Sequence, residues 1–92
     1  MQNTGLEAAY TNTELKKRAG DGLIKWTGML SDIINSGIAA GEFKAGTDSL
    51  ETALQIISLI EGGALFAQST ENYKFVKKLL ETAKKIITDI VV

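Results

Sequence analysis

Carboxylate side chains are the main chemically reactive groups that this sequence offers. The chain has 11 acidic and 10 basic residues, but it contains neither histidine nor cysteine. The commonest general base, the thiolate nucleophile and the usual zinc ligands are therefore missing. A mechanism based on carboxylates or on a Ser-Lys pair remains formally open, yet most of the acids lie at predicted helix starts or on solvated faces, where capping and solubility explain them. We therefore expect a protein that is not an enzyme and that carries no metal or cofactor.

Glu61 is the acid with the most unusual surroundings. It stands next to apolar stripes in the segment from Asp48 to Gln68, and an ionisable group beside a buried helix face needs a partner. Three roles fit this position equally well. Glu61 can hydrogen-bond across a dimer, hold a polar atom of a ligand, or reach solvent at the edge of an interface.

The segment from Asp48 to Gln68 predicts a helix that is apolar on two sides. Its first stripe consists of Ala53, Leu54, Ile57, Ile60, Ala64 and Ala67, and its second of Thr52, Ile56, Leu59, Gly63 and Phe66. One stripe can face the core of the chain, but the other also needs cover, and we expect a second copy of the protein to supply it. Gly62 and Gly63 each cost about 1 kcal/mol of helix stability relative to alanine, a cost that close approach of another backbone usually offsets.

Helical periodicity continues on both sides of this central segment. Residues from Glu14 to about Ala40 predict a helix roughly 40 Å long, which ends at Gly41 in a left-handed conformation. Residues from Asn72 to about Ile90 predict a last helix with an apolar stripe on one side and lysines on the other. A short helical stub from Asn3 to Tyr10 should stop, and the chain should restart as a helix, at residues 11–14.

Capping residues mark the boundaries of the later helices. Asp48 and Glu51 have capping-box spacing at the start of the central helix, and Ser69 and Thr70 are candidate caps for the last one. We therefore predict one all-α domain over residues 1–92, an antiparallel bundle of three main helices plus an N-terminal helical stub.

Charge and hydropathy argue against nucleic acid and membranes as direct partners. The formal net charge is −1 without a basic stripe, whereas a nucleic-acid-binding domain normally has a basic excess. The longest mainly apolar window, residues 53–67, is interrupted by Gln55, Ser58 and Glu61 and is shorter than the roughly 20 residues of a bilayer span. The start of the chain lacks the pattern of a signal peptide. We expect a soluble, cytoplasmic protein.

The order of several short motifs is similar to that of a known family. Trp26 is followed by Leu30, Ile33 and Ile34, by the run Ser36-Gly37-Ile38-Ala39-Ala40-Gly41-Glu42-Phe43, by Asp48 and Ala53, and by Ile60-Glu61-Gly62-Gly63. This arrangement resembles the C-terminal regulatory domain of TetR-family transcriptional repressors. That family usually has a tryptophan, a G-x-x-x-G-E-aromatic/Leu turn, an aspartate opening the next helix, and an E-G pair inside it. The similarity covers nearly the whole chain.

The resemblance implies a function for each part of the fold. A helix-turn-helix DNA-binding domain would precede this chain, which itself would not contact DNA. The last two helices would pair with those of a second subunit in a homodimer, and the expected interface residues are Ile56, Leu59, Ile60, Gly63, Phe66, Val76, Leu80, Ala83 and Ile87. A small apolar or amphipathic effector would bind between the long helix and the central helix, in a pocket lined by Trp26, Met29, Leu30, Ile33 and Phe66.

Other interpretations of the same residues remain open. Without the resemblance, the residues themselves favour ordinary core over a ligand pocket for Trp26 and its neighbours Met29, Leu30 and Ile33. The whole chain can be a free-standing helical module for dimerisation or for binding a partner helix, without ligand or DNA. A small hydrolase or lyase that depends on Glu61 or Lys25 is a more distant alternative.

Overall fold

The computed structural model describes residues 4–92, with side chains from Asn12 onward. The described chain forms the helices α1 (Thr4–Ala39), α2 (Ser49–Thr70) and α3 (Lys74–Ile90). Its only β-structure is an isolated antiparallel bridge between Phe43 and Val91. The predicted all-α class is confirmed.

The predicted break near residues 11–14 is wrong, because α1 is one continuous helix of 36 residues. Threonine and asparagine each cost only about 0.5 kcal/mol relative to alanine inside a helix, and the junction contains neither proline nor glycine. The side chain of Arg18 also donates to Glu14 Oε1 at 2.9 Å, an exposed pair at the spacing that supports a continuous helix. Thr4 to Tyr10 of the expected stub are therefore the first part of α1, and Asn3 lies outside the described residues.

The turn after α1 ties together the ends of two helices. Gly41 has a φ of +77°, which confirms the predicted left-handed residue. Beyond it, the N–H of Lys44 donates to the carbonyl of Ile90 at 2.7 Å, and the N–H of Val92 donates to the carbonyl of Glu42 at 3.1 Å. These bonds anchor the C-terminal end of α3 to the α1–α2 turn.

The predicted cap of α2 is confirmed. The N–H of Glu51 donates to Asp48 Oδ1 at 3.0 Å. The predicted cap of α3 is wrong, because Thr70 is still part of α2 and its hydroxyl donates to the carbonyl of Phe66. The backbone N–H of Lys74, the first residue of α3, instead donates to Asn72 Oδ1 at 3.2 Å.

The three helices form a flat layer with α2 in the middle. α2 packs antiparallel to α1 on one side and to α3 on the other, while α1 and α3 do not pack on each other within the described residues. The extents of 57 × 29 × 13 Å correspond in the thinnest direction to little more than one helix diameter. Among residues 12–92, the buried hydrophobic core is small and consists of Ile34, Ala53, Ile56 and Ala67. A single layer leaves both broad faces without cover from the described part of the chain.

α2 is longer than the apolar window that its sequence shows. The helix has 22 residues and contains an 18-residue window with a mean hydropathy of 1.3, of which 28% is buried, so that by length and composition alone it could cross a membrane. This finding corrects the prediction that the apolar window is too short. Core helices of soluble proteins meet the same criterion, and α2 packs against α1 and α3 along its two sides.

Candidate functional site

The line of contact between α2 and α3 is built around Gly63. This residue is buried, and a Cβ added to it would lie 2.5 Å from Leu79 Cδ1. The missing side chain therefore lets α3 of the same chain approach α2. The sequence predicted that another backbone approaches this glycine pair closely, but the atoms nearest to a Cβ at Gly63 belong to the side chain of Leu79 on the chain's own α3, and a Cβ at Gly62 would meet nothing within 4 Å.

A nearly apolar groove lies along one side of this contact line. This α2–α3 groove has a volume of about 330 Å³ and is lined by Leu59, Ile60, Gly63, Ala64, Ala67, Tyr73, Val76, Leu79 and Leu80. Leu80 is 60% exposed and Ile60 is 46% exposed. These are large apolar side chains that the single chain leaves in contact with water.

The structure brings together five of the predicted interface residues in the α2–α3 groove: Leu59, Ile60, Gly63, Val76 and Leu80. Ala83 and Ile87 lie further along α3, half-buried, and continue the spacing of Val76 and Leu80 at steps of three and four residues, which places all four on one side of the helix. Ile56 is 7% exposed and belongs to the core of the chain.

A second groove lies on the other side of the α2–α3 contact line and has an aromatic wall. This aromatic groove is lined by Ser58, Leu59, Gly62, Gly63, Phe66, Phe75 and Leu79. The rings of Phe66 and Phe75 meet edge to face, with centroids 5.3 Å apart, a preferred aromatic geometry. Phe66 therefore lies apart from Trp26, and the structure does not bring it together with the other predicted pocket residues.

The largest of these grooves separates α1 from α2. This α1–α2 groove has a volume of about 610 Å³ and is lined by Leu23, Ile24, Thr27, Gly28, Leu50, Leu54, Ile57, Ser58 and Glu61. The hydroxyl of Thr27 donates to the carbonyl of Leu23 at 2.7 Å, so its hydrogen is not available to a ligand in the groove. The sequence interpretation missed the α1 residues of this groove, although Leu54 and Ile57 belong to the first predicted stripe of α2.

Trp26 lines a smaller groove on the opposite side of Leu23. This Trp26 groove, of about 290 Å³, is formed by Ala19, Gly22, Leu23, Trp26 and Glu61. Trp26, Met29 and Ile33 are 55%, 54% and 63% exposed. The alternative that these three residues form ordinary core is therefore wrong for this chain, because about half or more of each side chain is exposed. Leu30 is half-buried beside them.

Glu61 contributes to both grooves beside α1. It lines the α1–α2 groove and the Trp26 groove but not the α2–α3 groove. In the described part of the chain, no cluster of acidic residues has a geometry suitable for a metal ion. The chemistry available beside α1 is thus an apolar surface with one carboxylate.

Comparison with known proteins agrees with this fold. A search among curated proteins gives no significant match. A solved structure of a TetR-family transcriptional regulator from Cytophaga hutchinsonii is 36% identical, with a TM-score of 0.81, over 98% of this chain and 45% of that chain. The present chain thus spans less than half the length of that regulator. Residues 1–83 match the family described as the tetracyclin repressor-like C-terminal domain. The chain therefore belongs to the TetR family of transcriptional regulators and corresponds to its C-terminal domain.

Proposed function

We propose that this chain is the dimerisation and effector-binding domain of a cytoplasmic TetR-family repressor. It has no enzymatic role, and a DNA-binding domain outside these residues contacts the operator. The observation that carries the dimerisation is the α2–α3 groove with the exposed Leu80 at its edge. An apolar surface of this kind, on a helix pair without cover, marks an interaction site.

A second copy of the chain is the partner that fits this surface. Val76, Leu80, Ala83 and Ile87 repeat at steps of four, three and four residues on α3, the spacing with which one helix packs along another. Two such helix pairs, related by a two-fold axis, would form a four-helix interface and cover the groove on both subunits.

Effector control follows from the position of the α1–α2 groove. A molecule in this groove touches α1 and α2 at once, and α2 also forms part of the proposed dimer interface. An effector that binds one arrangement of α1 and α2 better than another would shift the arrangement of the subunits. Allosteric coupling of this kind typically amounts to about 1 to 3 kcal/mol.

Sedimentation equilibrium of wild type and two leucine variants tests the dimer. We expect about twice the chain mass at micromolar concentration for wild type. Leu80→Glu places a carboxylate from each subunit in an apolar interface, where an unpaired charge costs about 3 to 5 kcal/mol. The dissociation constant should therefore rise by at least about 100-fold.

Leu65→Glu is the matched control for this experiment. Leu65 is 65% exposed, close to the 60% of Leu80, but it lies outside the α2–α3 groove. The same change of residue type should therefore leave association unchanged. A monomeric wild type, or equal loss of association in both variants, would contradict the proposed interface.

A further inference from the structure

Among the described residues, Glu61 is the sole charged one that lines the α1–α2 groove, and also the sole charged one that lines the Trp26 groove. The remaining lining of the α1–α2 groove is apolar apart from two hydroxyl groups, and that of Thr27 already donates to a backbone carbonyl. One carboxylate therefore sets the sign of the charge that a ligand meets on either side of Leu23.

The cationic residues of the chain do not neutralise this carboxylate. Within the described residues, the one ion pair is between Arg18 and Glu14, and no lysine or arginine lines either groove beside α1. An anionic ligand would meet repulsion from Glu61 without a compensating cation. A cationic ligand would meet attraction, and its apolar body would replace water on the groove wall.

The dimensions of the α1–α2 groove suit a small organic molecule. Its volume of about 610 Å³ lies inside the range of about 300 to 1,000 Å³ that is common for ligand sites. Gly28 forms part of the wall, and a Cβ added there would meet no atom within 4 Å. The groove is thus open at Gly28, and a larger side chain at this position would extend into it.

We propose that the α1–α2 groove takes an amphipathic organic cation, with its apolar body between Ile24 and Leu54 and its cationic head beside Glu61. This inference rests on the proposed effector function, because it assigns the chemical class of the ligand for the same site. Of the three roles that the sequence leaves open, Glu61 then has the one in which it contacts a polar atom of a ligand.

Three ligands with the same alkyl chain test the charge preference: octyltrimethylammonium, octanol and octyl sulfate, all below micelle-forming concentrations. Binding to the 92-residue chain is measured by calorimetry and by the fluorescence of Trp26, which lines a groove shared with Glu61. We expect octyltrimethylammonium to bind most tightly and octyl sulfate most weakly.

Two variants separate charge from shape. Glu61→Gln keeps the size of the side chain and should weaken octyltrimethylammonium about two- to fivefold, the effect of losing one exposed ion pair, while octanol binding stays the same. Gly28→Leu should weaken all three ligands because it fills the groove. Glu51→Gln, which removes an exposed acid from the first turn of the same helix, is the control and should bind like wild type. Circular dichroism verifies the helix content of each variant.

The outcomes distinguish this inference from the proposed function. Equal affinity of wild type and Glu61→Gln for the cation would overturn the cation assignment. If all three ligands bind alike and Gly28→Leu blocks them, the cation assignment is overturned but the groove remains an effector site. If none of the three ligands binds, the cation assignment is overturned and the α1–α2 groove loses its support as an effector site. The sedimentation experiment still tests the dimer independently.

Discussion

Gly37 is a position at which one added methyl group should disturb the packing of the fold. It is buried near the end of α1, and a Cβ built on it would lie 2.5 Å from Phe43 Cε2. An aromatic ring cannot bend away as the end of an aliphatic side chain can, so Gly37→Ala must displace the whole ring of Phe43. Overpacking of this kind typically lowers the free energy of unfolding by about 1 to 3 kcal/mol. The higher helix propensity of alanine raises it by about 1 kcal/mol.

Gly28→Ala is the matched control, because Gly28 lies in the same helix and has no atom within 4 Å of an added Cβ. It should raise the free energy of unfolding by about 1 kcal/mol. Gly37→Ala should lower it by about 0 to 2 kcal/mol, the net of overpacking and propensity. The two variants should therefore differ by about 1 to 3 kcal/mol, and the difference is less sensitive than either value to the unfolded-state reference.

The measurement is thermal unfolding followed by circular dichroism, with all variants at one protein concentration because association shifts the midpoint. For a domain of this size, 1 kcal/mol corresponds to roughly 4 to 8 °C. Phe43 also bridges to Val91, so displacement of its ring should loosen the end of α3. If Gly37→Ala stabilises the chain as much as Gly28→Ala does, the close packing of Phe43 on Gly37 is refuted.

Two further comparisons test the packing and capping of α2. Gly62→Ala should raise the free energy of unfolding by about 1 kcal/mol, since nothing lies within 4 Å of its added Cβ. Gly63→Ala should raise the free energy of unfolding much less, because Leu79 must leave its rotamer at a cost of roughly 1 kcal/mol. Equal urea midpoints for Gly62→Ala and Gly63→Ala would contradict the close contact between Gly63 and Leu79. Asp48→Ala should lower the free energy of unfolding by about 1 kcal/mol through loss of the bond from the Glu51 N–H, whereas Asp48→Asn should retain most of it. Equal losses in these two variants, again measured by urea denaturation, would show that the cap does not act through its side-chain oxygen.

Local features of the helices were predictable because they depend on residues that are close in sequence. The Asp48 cap and the left-handed Gly41 each involve a few consecutive residues, and the structure contains both. The helix break predicted at residues 11–14 is wrong because capping residues do not end a helix by themselves. A helix ends where the backbone also leaves the helical conformation. Threonine and asparagine can remain inside a helix at small cost, and neighbouring turns of α1 continue across them.

The candidate site was predictable in part. Spacing along α3 placed Val76 and Leu80 on one side of the helix, and both line the α2–α3 groove. Phe66 could not be assigned in the same way, because its neighbour Phe75 lies on another helix. Ile24 and Gly28 were missed because they line a groove only at the distance that separates α1 from α2 in the folded chain.

By itself, the sequence determined the helical class, the two apolar sides of α2 and the family motifs. Helical periodicity specifies the angle at which a side chain leaves its own helix axis. It does not specify which neighbour stands at that angle or how close it comes. Only the tertiary structure decided that α3 of the same chain fills the space at Gly63, that Trp26 stays exposed, and that Glu61 lies beside α1. These outcomes depend on how the helices pack into one layer, since packing sets the neighbour and the distance that each exposed side chain meets.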